Sequence, residues 1–267
     1  MNGSRQILLF YDGVIVMAMY AYKDEDRTTR VLAKDTTERD KGIRYYCPNP
    51  NCRAKMFIRS CDGESKSFFA ASGNPGHIEH CPYGSENTYN PEKTKEEGFN
   101  SDDAISNLMK VTLQKKVSET NVKKAVGGVS EEAVVPHTIL QIYDMCKAHY
   151  CEDSFNCQQI GQILLDSRSV YMYPRGVFGY RIIEAKCKAH LYDDENIYLE
   201  TPIDNVKYKL KLHFEDIELF KQLRKLLFDN KNHVIAVAGK WEKSGVYNCF
   251  VTEVVSNRQI KILKQEL

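Results

Sequence analysis

The sequence has no apolar run approaching the 18 residues of a membrane-spanning helix; the apolar patch in MNGSRQILLFYDGVIVMAMYAYKDED is interrupted by Asp12. That stretch also lacks the small-residue cleavage site of a secretory leader, so a soluble cytoplasmic protein with no membrane partner is expected. A charge excess of one sign is missing too. Lys+Arg 37 against Asp+Glu 36 leaves a formal charge of +1, so any nucleic-acid surface has to come from local placement and not from bulk charge. No serine or cysteine nucleophile constellation, phosphate-cradling glycine loop or redox motif is found. What is abundant is apolar material: 42% of 267 residues, enough for one large domain or two smaller ones. Cysteine is plentiful as well, and nine of them, an odd number without an export signal, point to free thiols and metal ligands more than to disulfides.

Four of the cysteines and two of the seven histidines fall between Tyr45 and Gly84. Cys47 and Cys52 enclose PNPN, whose prolines and asparagines let the chain fold back so that both sulfurs face one point. His77 and Cys81, four apart, share one face of a helical turn that SGNPG is expected to start. KMFIRS and SFFAAS lie between the pairs, separated by CDGESK, where Asp62-Gly63 signals a hairpin. Thiolate and imidazole in such pairs suit tetrahedral Zn²⁺, so Cys47, Cys52, His77 and Cys81 are read as one closed structural zinc site in a knuckle, hairpin, helix module. His80 is the second choice for the third ligand, because it neighbours Cys81 and adjacent side chains diverge on a helix. Cys61 is placed in the hairpin turn, away from the pairs. The bland alternative makes Cys47 and Cys52 small buried apolar residues and His77 a surface histidine.

The order VLAKDTTERDKGIRYYCPNPNC, then a short hairpin, SFFAAS and a histidine–cysteine pair resembles the N-terminal zinc-binding segment of competence protein CoiA-like proteins. These are bacterial proteins associated with DNA uptake and processing. The likeness covers about the first third of the chain and carries over Cys47, Cys52, His77 and Cys81. It implies association with DNA. The family's phenylalanine-alanine-histidine run reads FFAAS here, and no matching nuclease segment follows.

Composition divides the rest into a polar connector over 85–134 and a second domain over 135–267, after a zinc module over 1–84. SENTYNPEKTKEEGFNSDD has no periodic apolar pattern. A short helix is expected from Asp102 to about Leu113, followed by a polar stretch broken at Gly127-Gly128. VPHTILQIYDMCKAHYC reads as a helix with Pro136 in its first turn, and CQQIGQILLDS as a second, shorter one. Cys146, His149, Cys151 and Cys157 lack paired spacing and make a poor metal site. From Val177 the period becomes two: GYRIIEAKCKAHLY, NIYLET and KYKLKLHFED read as strands, DIELFKQLRKLLFD as a helix, then HVIAVAGKW and YNCFVTEVVSNRQIKIL as strands. The fold class is thus α+β, with a zinc module, a helical segment and a C-terminal five-stranded OB-like barrel.

In that barrel Lys207, Lys209 and Lys211 form one outer basic stripe, and Lys186, Lys188 and His190 a second. With Trp241 near the last loop, and Tyr198 and Phe178 as further stacking candidates, they fit a phosphate backbone and its bases. The leading expectation is a non-catalytic single-stranded DNA-binding accessory factor. Alternating lysines also suit any solvated strand, and a protein-docking adaptor with a structural zinc is one alternative. The other is a metal-dependent nuclease, because Asp166 with Glu184-Ala185-Lys186 imitates the carboxylate and lysine arrangement that holds Mg²⁺.

Overall fold

The computed structural model describes residues 17–61, 66–71, 74–84, 87–110, 133–203 and 208–266, the side chains of 188–191, 265 and 266 excepted. Strands β1 (Tyr20–Tyr22), β2 (Arg30–Leu32), β3 (Tyr45–Tyr46), β4 (Lys55–Arg59) and β5 (Phe68–Ala71) form an antiparallel sheet in the order β2-β1-β3-β4-β5. The expected hairpin is β4–β5, with Met56 opposite Ala71 and Arg59 opposite Phe68. Ala18 exchanges backbone hydrogen bonds of 3.0 and 2.7 Å with Phe69, which curls β5 back onto the start of the sheet. Tyr20, Tyr45, Met56 and Phe69 fill the concave side together with Cys47, Cys52, Cys61 and Cys81.

The helix expected to carry His77 and Cys81 does not form. Those residues sit in consecutive turns, closed by Cys81 N–H to the Ile78 carbonyl at 3.2 Å and Gly84 N–H to the Cys81 carbonyl at 2.8 Å. Pro82 explains this, since the residue before a proline is pushed out of the α region, and His80 takes φ +55°.

Of the expected connector, the described part packs against its surroundings. Lys93 and Lys95 are hydrogen-bonded to Val134 at 3.0 Å each, and α1 (Ser101–Leu108), capped by the Asn100 side chain, buries Ala104, Ile105 and Leu108. It ends earlier than expected; Thr112, Leu113 and the Gly127-Gly128 stretch lie outside the described residues. Helix α2 (Ile139–Ala148) starts at a Thr138–Gln141 capping box, so Pro136 precedes the helix instead of occupying its first turn. A small hairpin of β6 (Ser154–Phe155) and β7 (Gln158–Gln159) follows. The second expected helix survives only as the turn α3 (Ile160–Ile163), after which the chain extends into β8 (Leu164–Leu165), parallel to the next strand.

Strands β9 (Gly179–Tyr192), β10 (Asn196–Glu200), β11 (Lys209–His213), β12 (His233–Lys243) and β13 (Cys249–Glu253) close into a five-strand barrel. The order around it is β9-β10-β11-β13-β12, and β12 pairs back onto β9 from Ile235↔Ala185 to Trp241↔Gly179. All neighbours are antiparallel except β11–β13. Helix α4 (Ile217–Asp229), capped by Asp216, lies between the third and fourth barrel strands and buries Phe220, Leu223 and Leu227, as the pattern predicts. Ile183, Leu199, Leu210, Leu212, Val237 and Trp241 fill the interior, each large aliphatic side chain contributing about 1.5–3 kcal/mol by leaving water.

Two sequence readings of this region are corrected. The final stretch is two strands, not one bent strand. Gln259 is fully buried and spends its side chain on Val255 N–H, Ser256 N–H and the Glu253 and Ala238 carbonyls, so the chain turns there and β14 (Ile260–Glu266) pairs with β12. The second concerns β9, whose period of two implies a half-buried strand. It is covered on both faces: Ile183 and Ala185 point into the barrel, while Ile182 joins a second core with α1, α2 and α3.

Candidate metal centre and binding surface

One atom from each of Cys47, Cys52, His77 and Cys81 lies within 4.8 Å of all the others, and among the described residues this is the one such group. The Cys47 and Cys81 sulfurs are 3.7 Å apart, and Cys52 Sγ is 3.5 Å from His77 Nδ1. A tetrahedron with metal–sulfur bonds of 2.3 Å and a metal–nitrogen bond near 2.05 Å has edges of about 3.75 Å between sulfurs and about 3.5 Å between sulfur and nitrogen. The spacing therefore fits a cation that could sit between them. Hydrogen bonding from Cys47 pulls the Cys81 thiol down to about 4 and the Cys52 thiol down to about 6, while burial pushes Cys47 up. Two thiolates this close repel unless a proton or a cation lies between them.

The loop that presents Cys47 and Cys52 is held by a residue the spacing argument passes over. Arg27 donates from Nε to the Cys47 carbonyl at 2.9 Å and from one terminal nitrogen to the Asn49 and Cys52 carbonyls at 2.8 and 2.7 Å. Asn49 adds N–H donors to Cys47 Sγ and Cys81 Sγ at 3.4 and 3.6 Å, the usual way that surrounding groups orient ligands. Cys61 is buried in the same core but stands outside the group. Cys146, His149, Cys151 and Cys157 do not assemble; His149 bonds Glu96, and Cys157 is exposed.

Asp166 and Glu184 do come together, but around a different lysine from the one the motif supplies. Lys147 Nζ, on α2, lies 2.9 Å from Asp166 Oδ2 and 3.1 Å from Glu184 Oε1, and Tyr143 donates to the same Glu184 oxygen at 2.7 Å. All four are buried. The ammonium fills the space between the carboxylates. Arg168 completes the network, bonding Asp166 at 2.8 Å, the Cys146 and His149 carbonyls at 3.1 and 3.0 Å, and the Tyr20 and Tyr83 hydroxyls at 3.3 Å. It thus caps the last turn of α2 and ties it to the N-terminal sheet. Burial opposes ionisation of Asp166, yet Arg168 and Lys147 hold it below the usual carboxylate range.

A third cluster joins the hairpin to α2. His149 lies 2.9 Å from Glu96 and 3.8 Å from Asp153; Tyr89 also bonds Glu96, and Lys66 is 2.9 Å from it. Burial would raise the Glu96 carboxyl, but bonding to His149 brings it to about 2. Burial lowers His149 less than Asp153 and Glu96 raise it. Glu96 therefore contributes stability that is present above its unfolded value of about 4.3 and is lost as pH falls toward 2. His149 contributes below its unfolded value of about 6.5, and that part is lost as pH rises through the raised one. Urea denaturation across pH should give the highest midpoint between these limits, and His149→Gln should flatten the alkaline decline; parallel wild-type and variant profiles above neutrality would contradict the assignment.

On the barrel, Lys209 is exposed and Lys186 and Lys211 are half-buried. Glu200 pairs with Lys186 on one side and Lys209 on the other, so the stripe is interrupted by a carboxylate. Tyr198 stands opposite Lys211 and bonds Asp193. Lys207 and the side chains of Lys188 and His190 lie outside the described residues. Trp241 is fully buried in the barrel core with its indole N–H on the Arg181 carbonyl at 3.2 Å. It therefore offers no stacking surface, because the chain beyond it continues as strand to Lys243. Phe178 is 39% exposed and Tyr247, at the tip of the β12–β13 turn, 89%; spacing singles out the first and misses the second. No described helix is long and apolar enough to cross a membrane. No family model matches the chain, and no curated protein or solved structure matches it either.

Proposed function

We propose that the protein binds single-stranded DNA through its C-terminal barrel without cutting it, as an accessory factor in bacterial DNA processing or defence, and that Cys47, Cys52, His77 and Cys81 hold one structural Zn²⁺. The observation that carries the DNA reading is the barrel's strand order, with its parallel β11–β13 pair and intervening α4. That is the order of OB folds, whose second and third strands take up oligonucleotides or oligosaccharides. Here those strands carry Lys209, exposed, and Lys211, half-buried. The zinc reading rests on the tetrahedral edges of the Cys₃His group. Four protein ligands leave no open position, so the metal supplies folding energy and does not activate water.

A salt titration of binding to a 15-nucleotide single strand and to its duplex tests the DNA reading. With three or four phosphates neutralised, log affinity should fall against log salt with a slope of about −2 to −3, and Lys209→Ala and Lys211→Ala should each flatten it by about 0.7. Absence of binding at low salt would favour a protein-docking role for the barrel. Mg²⁺-dependent cleavage lost in Glu184→Ala would favour the nuclease reading through Asp166, Glu184 and Lys186.

A further inference from the structure

The lysine stripe supplies charge but little flat surface. The aromatic surface lies elsewhere, at the end of the barrel where β9, β11 and β13 begin and β12 ends. Phe250, at the start of β13, packs edge-on against Phe178 on one side (ring centroids 5.5 Å apart) and Tyr208 on the other (5.3 Å). Its ring lies directly on Gly176, at φ +100°, where an added Cβ would stand 2.0 Å from Phe250 Cζ; only glycine lets the ring settle there. Phe250 itself is buried, so it acts as the base on which Phe178 and Tyr208 are fixed.

The row extends into the β12–β13 turn. Lys209 N–H donates to the Asn248 carbonyl at 2.9 Å, which brings Tyr208 and Tyr247, the residues preceding each, to the same edge. Burial raises the Tyr208 hydroxyl above its ordinary value, and the neighbouring Tyr247 adds to the rise. The turn is tightly built. Ser244 N–H bonds the Cys249 carbonyl at 3.1 Å, Ser244 Oγ receives Val246 N–H at 3.3 Å, and Gly245 and Asn248 take φ +86° and +54°. It holds Tyr247 outward. Cations flank the row: Lys243 Nζ is 5.9 Å from the Phe178 ring, and both Lys243 and Lys209 are exposed.

We propose that Phe178, Tyr208 and Tyr247 form a stacking platform for the bases of single-stranded DNA, with Lys209 and Lys243 meeting the phosphates on either side. Phe178 and Tyr247 are exposed, and Tyr208 is half-buried with its hydroxyl donating to the Tyr173 carbonyl at 2.6 Å; rings held at one edge in this way match the faces of unstacked bases, which duplex DNA keeps stacked. Cations at both edges match a backbone running past them. The proposal rests on the DNA-binding reading of the barrel and adds to it the residues that distinguish single strands from duplex.

The test uses the full chain and a fluorescently labelled 15-mer of thymidylate, read by anisotropy at low salt, beside an abasic strand of equal length. Tyr247→Ala, a change at a fully solvated ring, should weaken binding to the thymidylate strand by about five- to a hundredfold at unchanged salt slope, with Tyr247→Phe binding as wild type. Lys243→Ala should instead flatten the slope. The abasic strand should bind wild type and Tyr247→Ala alike. Wild-type affinity in both Tyr247→Ala and Phe178→Ala, with wild type binding the strand well, would overturn the platform and leave the DNA reading intact. Failure of the wild type to bind any strand would overturn both.

Discussion

A strong zinc chelator should strip one equivalent of zinc from the purified protein and unfold its N-terminal sheet. Structural zinc contributes about 10–16 kcal/mol of apparent binding energy in isolated finger peptides. Only part of that is expected here, because Tyr20, Tyr45, Met56 and Phe69 bury a core of their own. With no ion bound, the three cysteines and the imidazole, within 4.8 Å of one another, would be held only by weak sulfur hydrogen bonds and by the Arg27 and Asn49 contacts. Cys81→Ser should lose the metal and cost more than about 4 kcal/mol, the range in which lost metal sites fall. Cys61→Ser supplies the control, being buried in the same core but outside the group, and should retain full zinc content. Atomic absorption on the three proteins decides the matter: a metal-free wild type, or a Cys81→Ser protein with one zinc per chain, would refute the site.

Replacing Lys147 by methionine should be the most damaging single change away from the metal centre. The ammonium is shared by two buried carboxylates at 2.9 and 3.1 Å, and its removal leaves Asp166 with Arg168 and Glu184 with only the Tyr143 hydroxyl. Breaking a buried pair from one side costs about 3–5 kcal/mol, a fall on the order of 10 °C in melting temperature for a domain of this size. The loss should also depend on pH. Asp166 is held low and contributes stability above its unfolded value of about 3.9 that is lost as pH falls through the lowered one. Lys147→Met combined with Glu184→Gln should recover much of the stability, since no uncompensated charge then remains at that side. Equal stabilities for single and double variants would show that Glu184 was not the charge left stranded.

The barrel was largely legible because its strands are long, alternate cleanly and are cut by an unmistakable amphipathic helix; β9 runs over the residues that GYRIIEAKCKAHLY marks. The Cys₃His group was legible as a cluster because residue type and pairing survive whatever backbone carries them. The backbone itself was not: Pro82 cancels the helix that the spacing of His77 and Cys81 suggests. The burial of Glu184 was not legible because alternation reports that a strand has two faces but not that α2 covers the second. Lys147 was missed for the same reason, since a lysine on an apolar helix face is legible only once its two carboxylates, 19 and 37 residues later, are known to lie beneath it. Trp241 was expected at the end of its strand, near the loop and open to contact, because strand β12 outlasts its apolar run by two residues. Arg27 left no mark in the pattern at all, as its partners are carbonyls and every residue has one.

Arg168 closes on Tyr20 across a sequence separation of 148 residues. At a synthesis rate of about 5–20 residues per second, roughly 7–30 s pass between the emergence of Tyr20 and that of the guanidinium that locks it to α2. Until Ala148 emerges the first sheet has neither Arg168 nor the backbone bond from Met19 to Ala148 to hold it. Its Cys₃His group, by contrast, is complete by Cys81, and every strand of the sheet is out by Ala71. The order of translation therefore lets the first sheet gather its own cysteines and histidine as a nascent chain, long before the barrel that will clamp it exists.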